Sequence, residues 1–172
     1  GRVNGLGLQF GLWFEPEMVS EDSDLYRAHP DWCLHVPQRP RSTGRNQLVL
    51  DFSRREVRDY IVQAVSDVLS SAPISYVKWD MNRHMTQSGS AGLPPERQRE
   101  TAHRYMLGLY EVLERITSQF PHILFESCSG GGGRFDPGML HYMPQTWTSD
   151  NTDAVSRLKI QYGTSVVYPA VT

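Results

Sequence analysis

The sequence predicts an α/β fold in which short strands of a parallel sheet alternate with longer helices. Apolar runs recur along the chain without the one-in-two alternation of a half-exposed strand. Such runs are typical of strands that are buried on both faces of a parallel sheet. Between them lie segments whose apolar residues repeat at helical spacing. This alternation of strand and helix indicates βαβ units.

Five strands are predicted from the apolar runs. They cover residues 6–14, 74–80, 122–127, 145–149 and 165–168. Long loops follow the first three strands, at residues 15–52, 81–94 and 128–144. Loops after parallel strands gather at the carboxyl edge of the sheet, where (β/α)8 barrels build their active sites. We therefore expect the functional residues in these loops.

Three helices are predicted between the strands. Ser53 and Glu56 have the spacing of a capping box, which opens the first helix. Its apolar stripe contains Val57, Ile61, Val65, Val68 and Leu69. The second helix covers about residues 95–119, with Tyr105, Leu109, Val112, Leu113 and Ile116 on one face. The third covers about residues 153–163, with Val155, Leu158 and Tyr162 facing inward.

The number of strands indicates part of a barrel. A complete (β/α)8 barrel takes about 250 residues, and five strands cannot close one. The chain starts just before a predicted strand and stops just after another. We therefore expect residues 1–172 to form the central section of a (β/α)8 barrel domain.

Composition and charge exclude several classes of partner. The net charge is −2, so neither nucleic acid nor an anionic membrane surface is indicated as a partner. No apolar run approaches the roughly 20 residues of a membrane span. Cys33 and Cys128 are expected to be free thiols in a reducing compartment, and a cytoplasmic location is expected for the parent protein. The six histidines lack ligand spacing, so we expect no metal and no cofactor.

Acidic residues stand at the ends of most predicted strands. They are Glu15, Glu17, Asp80, Glu126, Asp150 and Asp153. Strand ends around a barrel face one mouth, so several carboxylates converge there, and a pair of carboxylates is what cleavage of a glycosidic bond requires. Any one of these acids alone is equally explained as a helix cap or a structural carboxylate.

The densest cluster covers residues 78–83, where strand alternation puts Lys78, Asp80 and Asn82 on one side. A buried lysine beside Asp80 would hold its carboxylate ionised, as a nucleophile requires. Two alternatives remain open. The pair is a salt bridge that closes the strand end, or Lys78 forms a Schiff base, as in an aldolase or lyase.

A second cluster covers residues 146–153. Trp147 is a candidate for stacking on a sugar ring and Asp150 projects from the loop beyond it, with core packing and helix capping as the alternatives. Trp13 and Arg45 are further candidates for sugar contacts, although a loop arginine is often simply exposed. The tetraglycine stretch lacks the Gly-Lys-Ser/Thr ending of a phosphate loop, which argues against nucleotide binding.

Together these segments resemble the catalytic domain of glycoside hydrolase family 36 α-galactosidases. The matching blocks are GLWFEPEM at 11–18, GRNQ with LDFS within 44–53, VKWDMNR at 77–83, FESCSGGGGRFD at 125–136, and WTSDNTDA with RLKIQYG within 147–163. They occur in family order and cover nearly the whole chain.

The resemblance implies retaining hydrolysis of terminal α-D-galactose from substrates of the melibiose and raffinose type. Asp80 would be the nucleophile, and Asp150 the general acid and then the general base. The positions that would bind substrate are Trp13, Arg45, Lys78, Trp79, Met81, Asn82, Cys128, Gly130, Gly131 and Trp147. An α-galactoside is thus the expected partner.

Some family features have no counterpart in the chain. These are an acidic Asp-Asp pair on an earlier strand, the first two barrel strands, the last strand and the flanking β-domains. The chain would correspond to about strands three to seven and is expected to be inactive by itself. The parent protein is expected to be a homo-oligomer. Raffinose-synthase-like galactosyl transfer and a sugar-binding barrel without catalysis remain alternatives.

Overall fold

The computed structural model describes residues 1–169. Its strands are Gly11–Phe14 (β1), Met18–Ser20 (β2), Gln47–Val49 (β3), Tyr76–Trp79 (β4), Leu124–Ser127 (β5) and Gln145–Thr146 (β6). Its α-helices are Arg2–Gly5 (α1), Asp24–Ala28 (α2), Arg55–Ser70 (α3), Thr101–Gln119 (α4), Pro137–Tyr142 (α5) and Ala154–Val167 (α6). Short 3-10 helices lie at Pro30–Trp32 and Pro95–Glu100.

Four strands form one parallel sheet in the order β1-β4-β5-β6. Lys78 of β4 is in register with Trp13 of β1 and with Glu126 of β5. Residues in register on parallel strands point to the same face, so these three side chains lie in one row. The α/β class with a parallel sheet is confirmed, and the loops that follow the strands meet at one edge of the sheet.

The core lies between this sheet and the two long helices, α3 and α4. The predicted apolar face of α4 is confirmed, since all five of its residues are buried. On α3, Val57, Ile61, Val65 and Leu69 are buried as predicted, whereas Val68 is 40% exposed. Burying a side chain of this size contributes roughly 1.5–3 kcal/mol relative to leaving it exposed. This packing holds the strand ends in place.

The predicted capping box at Ser53 is wrong. Helix α3 begins at Arg55, and no side chain caps its first turn. The Ser53 N–H and hydroxyl both donate to the Asp51 carboxylate, while Glu56 pairs with Arg54. An acceptor two residues upstream therefore takes the Ser53 N–H that the box would have directed to Glu56, and it turns the hydroxyl, which would have been an acceptor in the box, into a donor.

The C-terminal prediction is also wrong. Residues 165–168 are not a strand, because α6 continues to Val167. The intrinsic β-preference of the two adjacent valines is thus overridden by the continuing helix. Val155, Leu158 and Tyr162 were expected to face inward but are 70%, 73% and 74% exposed. The helix itself was predicted correctly from the spacing of its apolar residues. Among residues 1–169, however, nothing covers the apolar face of α6.

The remaining strands are shorter than predicted, and one antiparallel pair of strands was missed. Only 11–14 of the segment 6–14 and only 145–146 of the segment 145–149 are strand. Inside the predicted loop 15–52, β2 and β3 pair as an antiparallel sheet. A turn at Arg45 and Asn46, with φ of 53° and 60°, leads into β3.

Two further observations concern the predicted compartment and partners. Cys33 and Cys128 are both buried free thiols. Over the described part of the chain, no helix has both the length and the apolar character that crossing a bilayer requires.

Candidate active site

Asp80 directly follows β4 at the carboxyl edge of the sheet and is only 4% exposed. Its Oδ2 accepts from Trp13 Nε1 at 3.1 Å and from Asn82 Nδ2 at 2.7 Å. Its Oδ1 accepts from the backbone N–H of Met81 at 2.8 Å and that of Gly130 at 3.4 Å. Both oxygens of the carboxylate are therefore surrounded by donors.

These donors decide the charge of Asp80. Burial by itself raises the pKa of the carboxyl, whereas the hydrogen bonds from Trp13, Asn82, the Cys128 thiol and the Gly130 amide lower it. The donors prevail, and the pKa of Asp80 lies below its ordinary value of 3.8. The side chain is ionised at neutral pH, which is the form that a carboxylate nucleophile needs.

The ion-pair partner of Lys78 differs from the one that the sequence predicted. Its Nζ lies 3.1 Å from Glu126 Oε1 and 4.6 Å from the centre of the Trp147 ring. Glu126 also accepts from the Tyr76 hydroxyl and from Gln145 Nε2. The expectation that Lys78 pairs with Asp80 is wrong, because Glu126 on the neighbouring strand takes the ammonium group.

Asp150 lies in the loop after β6 and is exposed. Its Oδ1 accepts from Trp147 Nε1 at 3.1 Å, and the Trp147 side chain is partly buried. Trp147 therefore connects the two clusters that the sequence analysis singled out, since its ring lies under the Lys78 ammonium and its N–H reaches Asp150.

The tetraglycine loop donates to Asp80 and lies close to the backbone at Asp150. Gly130 donates to Asp80. At the next residue, Gly131 with φ of +86°, an added Cβ would lie 2.9 Å from Ser149 Cα and 3.0 Å from the Asp150 nitrogen. Only glycine accepts both this backbone conformation and this close approach. One loop thus lies between the end of β4 and the loop that carries Asp150.

Two predicted substrate-binding residues point away from this site. Trp79 is fully buried and donates through Nε1 to Glu17 Oε1 at 2.9 Å. Met81 is 6% exposed and its sulfur faces Tyr105 and Arg134. Strand alternation turns both side chains to the face opposite Asp80. Their assignment as sugar contacts is corrected, because neither presents a surface at the site.

The other predicted substrate-binding residues differ in their exposure. Trp13 is 50% exposed, so its ring face is open while its N–H is held by Asp80. Arg45 is exposed at its turn. Burial raises the pKa of the Cys128 thiol to about 11, so it stays protonated and able to donate.

Two features of the site were missed by the sequence analysis. Glu15 accepts from Asn82 Nδ2 at 2.7 Å and from Gln47 Nε2 at 3.1 Å. Glu17 forms a buried ion pair with Arg134. The acids were noticed at the end of a strand, but their partners lie 32 to 117 residues away and only the fold brings them together.

An open cleft of about 620 Å³ lies between β6 and α6, next to Trp147. Its walls include Glu126, Gln145, Arg157, Tyr162 and Tyr168, but not Asp80 or Asp150. Glu126 is the one acid group among its described lining residues, and it is paired with Lys78. Among residues 1–169, no three His, Cys, Asp or Glu side chains are grouped as metal ligands.

Comparison with known proteins gives a consistent result. The melibiase family model matches residues 1–172. Alpha-galactosidase AgaA of Geobacillus stearothermophilus is 82% identical over 168 residues, which are 98% of this chain and 23% of that protein. Crystal structures of AgaA variants in complex with raffinose and with stachyose are 81% identical to the chain, with TM-scores of 0.95 and 0.96. They cover 96% and 98% of this chain, which covers 23% of each.

These likenesses confirm an α/β fold that forms part of a (β/α)8 barrel, and the chain spans under a quarter of the length of these relatives. Each of the two complexes also carries its own substitution of an aspartate. An aspartate is replaced by asparagine in the raffinose complex, and another by alanine in the stachyose complex. The replaced aspartates are 70 positions apart, as are Asp80 and Asp150 here.

Proposed function

This chain belongs to the melibiase family, glycoside hydrolase family 36, and we propose that the protein containing it hydrolyses terminal α-D-galactose from oligosaccharides of the melibiose and raffinose type. The observation that carries this proposal is the ionised Asp80, linked by one glycine loop to Asp150. The equal spacing of the two aspartates replaced in the sugar-bound relatives supports it.

The first step is a displacement at the anomeric carbon. An Asp80 oxygen attacks this carbon, while Asp150 donates its proton to the glycosidic oxygen and the leaving sugar departs as an alcohol. The product is a β-linked galactosyl-enzyme. The ionised nucleophile also stabilises the positive charge that develops on the sugar ring.

In the second step, water attacks the anomeric carbon from the face opposite Asp80 and displaces it. Asp150, now a carboxylate, takes a proton from water as the oxygen of that water attacks the anomeric carbon. The bond to Asp80 breaks, galactose leaves with its α-configuration, and both acids return to their starting forms. Two inversions give net retention, which calls for carboxyl groups about 5–5.5 Å apart.

The residues around the aspartates suit a sugar. Trp13 offers an exposed ring face beside the nucleophile, and Arg45 offers donors from its turn. Asn82 donates to both Asp80 and Glu15, which fixes the orientation of the nucleophile. Lys78 Nζ is engaged in the ion pair with Glu126, so we assign it as a donor to sugar hydroxyl groups and not as a Schiff-base nucleophile.

Replacing the nucleophile tests the proposal. In the intact protein, Asp80→Gly should abolish turnover of an aryl α-galactoside, and added azide should restore part of it. Azide occupies the space of the lost carboxylate and attacks from the same side, so the product should be β-galactosyl azide. Nuclear magnetic resonance of the product gives its anomeric configuration.

The matched control is Asp67→Ala, at an exposed aspartate on α3 whose side chain accepts from Gln63. This variant should keep full activity. Turnover by Asp80→Gly without azide, or an α-configured azide product, would reject Asp80 as the nucleophile. Borohydride trapping of a Lys78 adduct with substrate would instead support the Schiff-base mechanism.

A further inference from the structure

Behind the nucleophile lies a buried ion pair between Glu17 and Arg134. The Arg134 Nη1 and Nη2 atoms each lie 2.8 Å from one oxygen of Glu17, which gives two parallel hydrogen bonds. The Glu17 side chain is 0% exposed and that of Arg134 is 12% exposed. The remaining capacity of the carboxylate is filled by the Tyr105 hydroxyl and by Trp79 Nε1. This geometry is fixed in direction as well as in distance.

The two partners come from the loops on either side of β4. Glu17 stands three residues after β1, the strand that carries Trp13. Arg134 immediately follows the tetraglycine loop, in which Gly130 donates to Asp80 and Gly131 touches the backbone at Asp150. The ion pair therefore ties the loops after β1 and β5 together beneath the end of the strand that positions the nucleophile.

Contacts lead directly from this pair to Asp80. Arg134 Nη1 lies 3.4 Å from the Met81 sulfur, and the Met81 N–H donates to Asp80 Oδ1 at 2.8 Å. Trp79, which donates to Glu17, is the residue immediately before Asp80. Ser129, at the start of the glycine loop, donates to the Met81 carbonyl at 3.0 Å.

Stability alone does not account for such a pair. Buried ion pairs often contribute no more than apolar residues of similar volume, because both charges lose their hydration. Here the Arg134 Nε is also buried without a hydrogen-bond partner among the described residues, which adds a cost. What the pair does provide is two directional bonds that hold Arg134, and with it the end of the glycine loop, against Glu17.

We propose that Arg134 is a positioning residue for the reaction, which through its paired bonds to Glu17 sets the glycine loop and thereby the alignment of Asp80 with Asp150. This inference rests on the proposed function. Arg134 would act on the distance between the two acids. Its loss should therefore affect the chemical step more than the binding of the sugar.

The test removes both charges together in the intact protein, with the double variant Glu17→Gln/Arg134→Met. Removing both charges leaves no unpaired buried ion, so the fold should survive, as a thermal melt would show. We expect kcat for melibiose to fall on the order of 10- to 100-fold, as for misplaced catalytic groups. KM should change little, because ground-state contacts with galactose are kept.

The matched control is the double variant Arg58→Met/Glu111→Gln. This pair joins α3 to α4, and its arginine side chain is similarly buried, 15% exposed. Within residues 1–169, the side chains of Arg58 and Glu111 bond to each other, to the Phe52 and Ser53 carbonyls and to Arg115, and to no site residue. It removes the same pair of charges, from a glutamate side chain that is 45% exposed, and should leave kcat unchanged.

Unchanged kcat in Glu17→Gln/Arg134→Met would overturn the proposal, whatever the melting temperature does. If that variant does not fold, Arg134→Lys decides. It keeps the charge and loses the paired geometry, so a lower kcat at unchanged KM supports the proposal and a normal kcat rejects it. An unmodified intact protein that releases no galactose from melibiose or raffinose would instead show that the proposed function itself is at fault.

Discussion

At the scale of single residues, hydrogen-bond donors rather than a cation control the nucleophile. The sequence placed Lys78 near Asp80, but the ammonium group pairs with Glu126. Asp80 is instead held by the Trp13 indole, the Asn82 amide and two backbone N–H groups. Neutral donors favour the ionised form without adding a positive charge, which would oppose the cationic sugar in the transition state.

Removing one of these donors should shift the pH dependence. In Trp13→Phe the ring remains and the N–H is lost, so the pKa of Asp80 rises from its lowered value. The enzyme needs the ionised form, and activity falls as pH drops through this pKa. The acidic limb of the kcat/KM profile should therefore move to higher pH.

A kcat/KM profile in overlapping buffers measures this shift. Trp32→Phe is the control, because Trp32 lies in a 3-10 helix, stacks on His29 and is not one of the donors described above for Asp80. An acidic limb that stays in place in Trp13→Phe would show that the indole does not govern the nucleophile.

Asp150 should show a dependence on the leaving group. Asp150→Ala removes the general acid, which contributes about 10²- to 10⁴-fold for poor leaving groups. Melibiose and raffinose should be slowed by about this factor, and a nitrophenyl α-galactoside much less, since its leaving group needs no proton. Equal slowing of both substrates in steady-state kinetics would contradict the acid role.

At the scale of elements, long periodic segments were predicted well and short ones poorly. The buried faces of α3 and α4 follow directly from apolar residues at helical spacing. Strands β2 and β3 have three residues each, too few to show a period, and the turn that leads into β3 has neither Gly nor Pro at its two left-handed positions.

Helix α4 offers a matched pair of substitutions. Leu109 is 0% exposed and Leu107 is 54% exposed on the same helix. In the intact protein, Leu109→Ala should lower the free energy of unfolding by about 2–5 kcal/mol through a cavity. Leu107→Ala should change it by no more than about 0.5 kcal/mol.

Denaturant titration of both variants measures the difference. Helix propensity changes equally in the two, so only burial separates them. Equal effects would contradict the position of α4 over the sheet.

At the scale of the whole molecule, the described sheet has two open edges, β1 and β6. Helix α6 also exposes Val155, Leu158, Tyr162, Val166 and Val167. Open strand edges and apolar patches are surfaces that proteins usually cover. We propose that these surfaces pack against other strands and helices of the barrel in the intact protein.

The 172-residue chain produced alone should therefore behave differently from the intact protein. We expect it to bind a hydrophobic dye, to associate as its concentration rises, and to release no galactose from raffinose. Dye fluorescence, sedimentation and a galactose assay check these three outcomes. A monomer that unfolds cooperatively and binds no dye would contradict this expectation. The cytoplasmic location and the homo-oligomeric parent stay predictions.

The sequence by itself determined the fold class, the buried faces of the long helices, and the aspartates proposed for the chemistry. Periodicity and strand-end position are local properties, so they are visible without coordinates. Only the tertiary structure decided the partners: Glu126 for Lys78, Glu15 for Asn82, and Arg134 for Glu17. These pairs lie 48 to 117 residues apart, and parallel pairing of strands, which no local pattern specifies, brings them together.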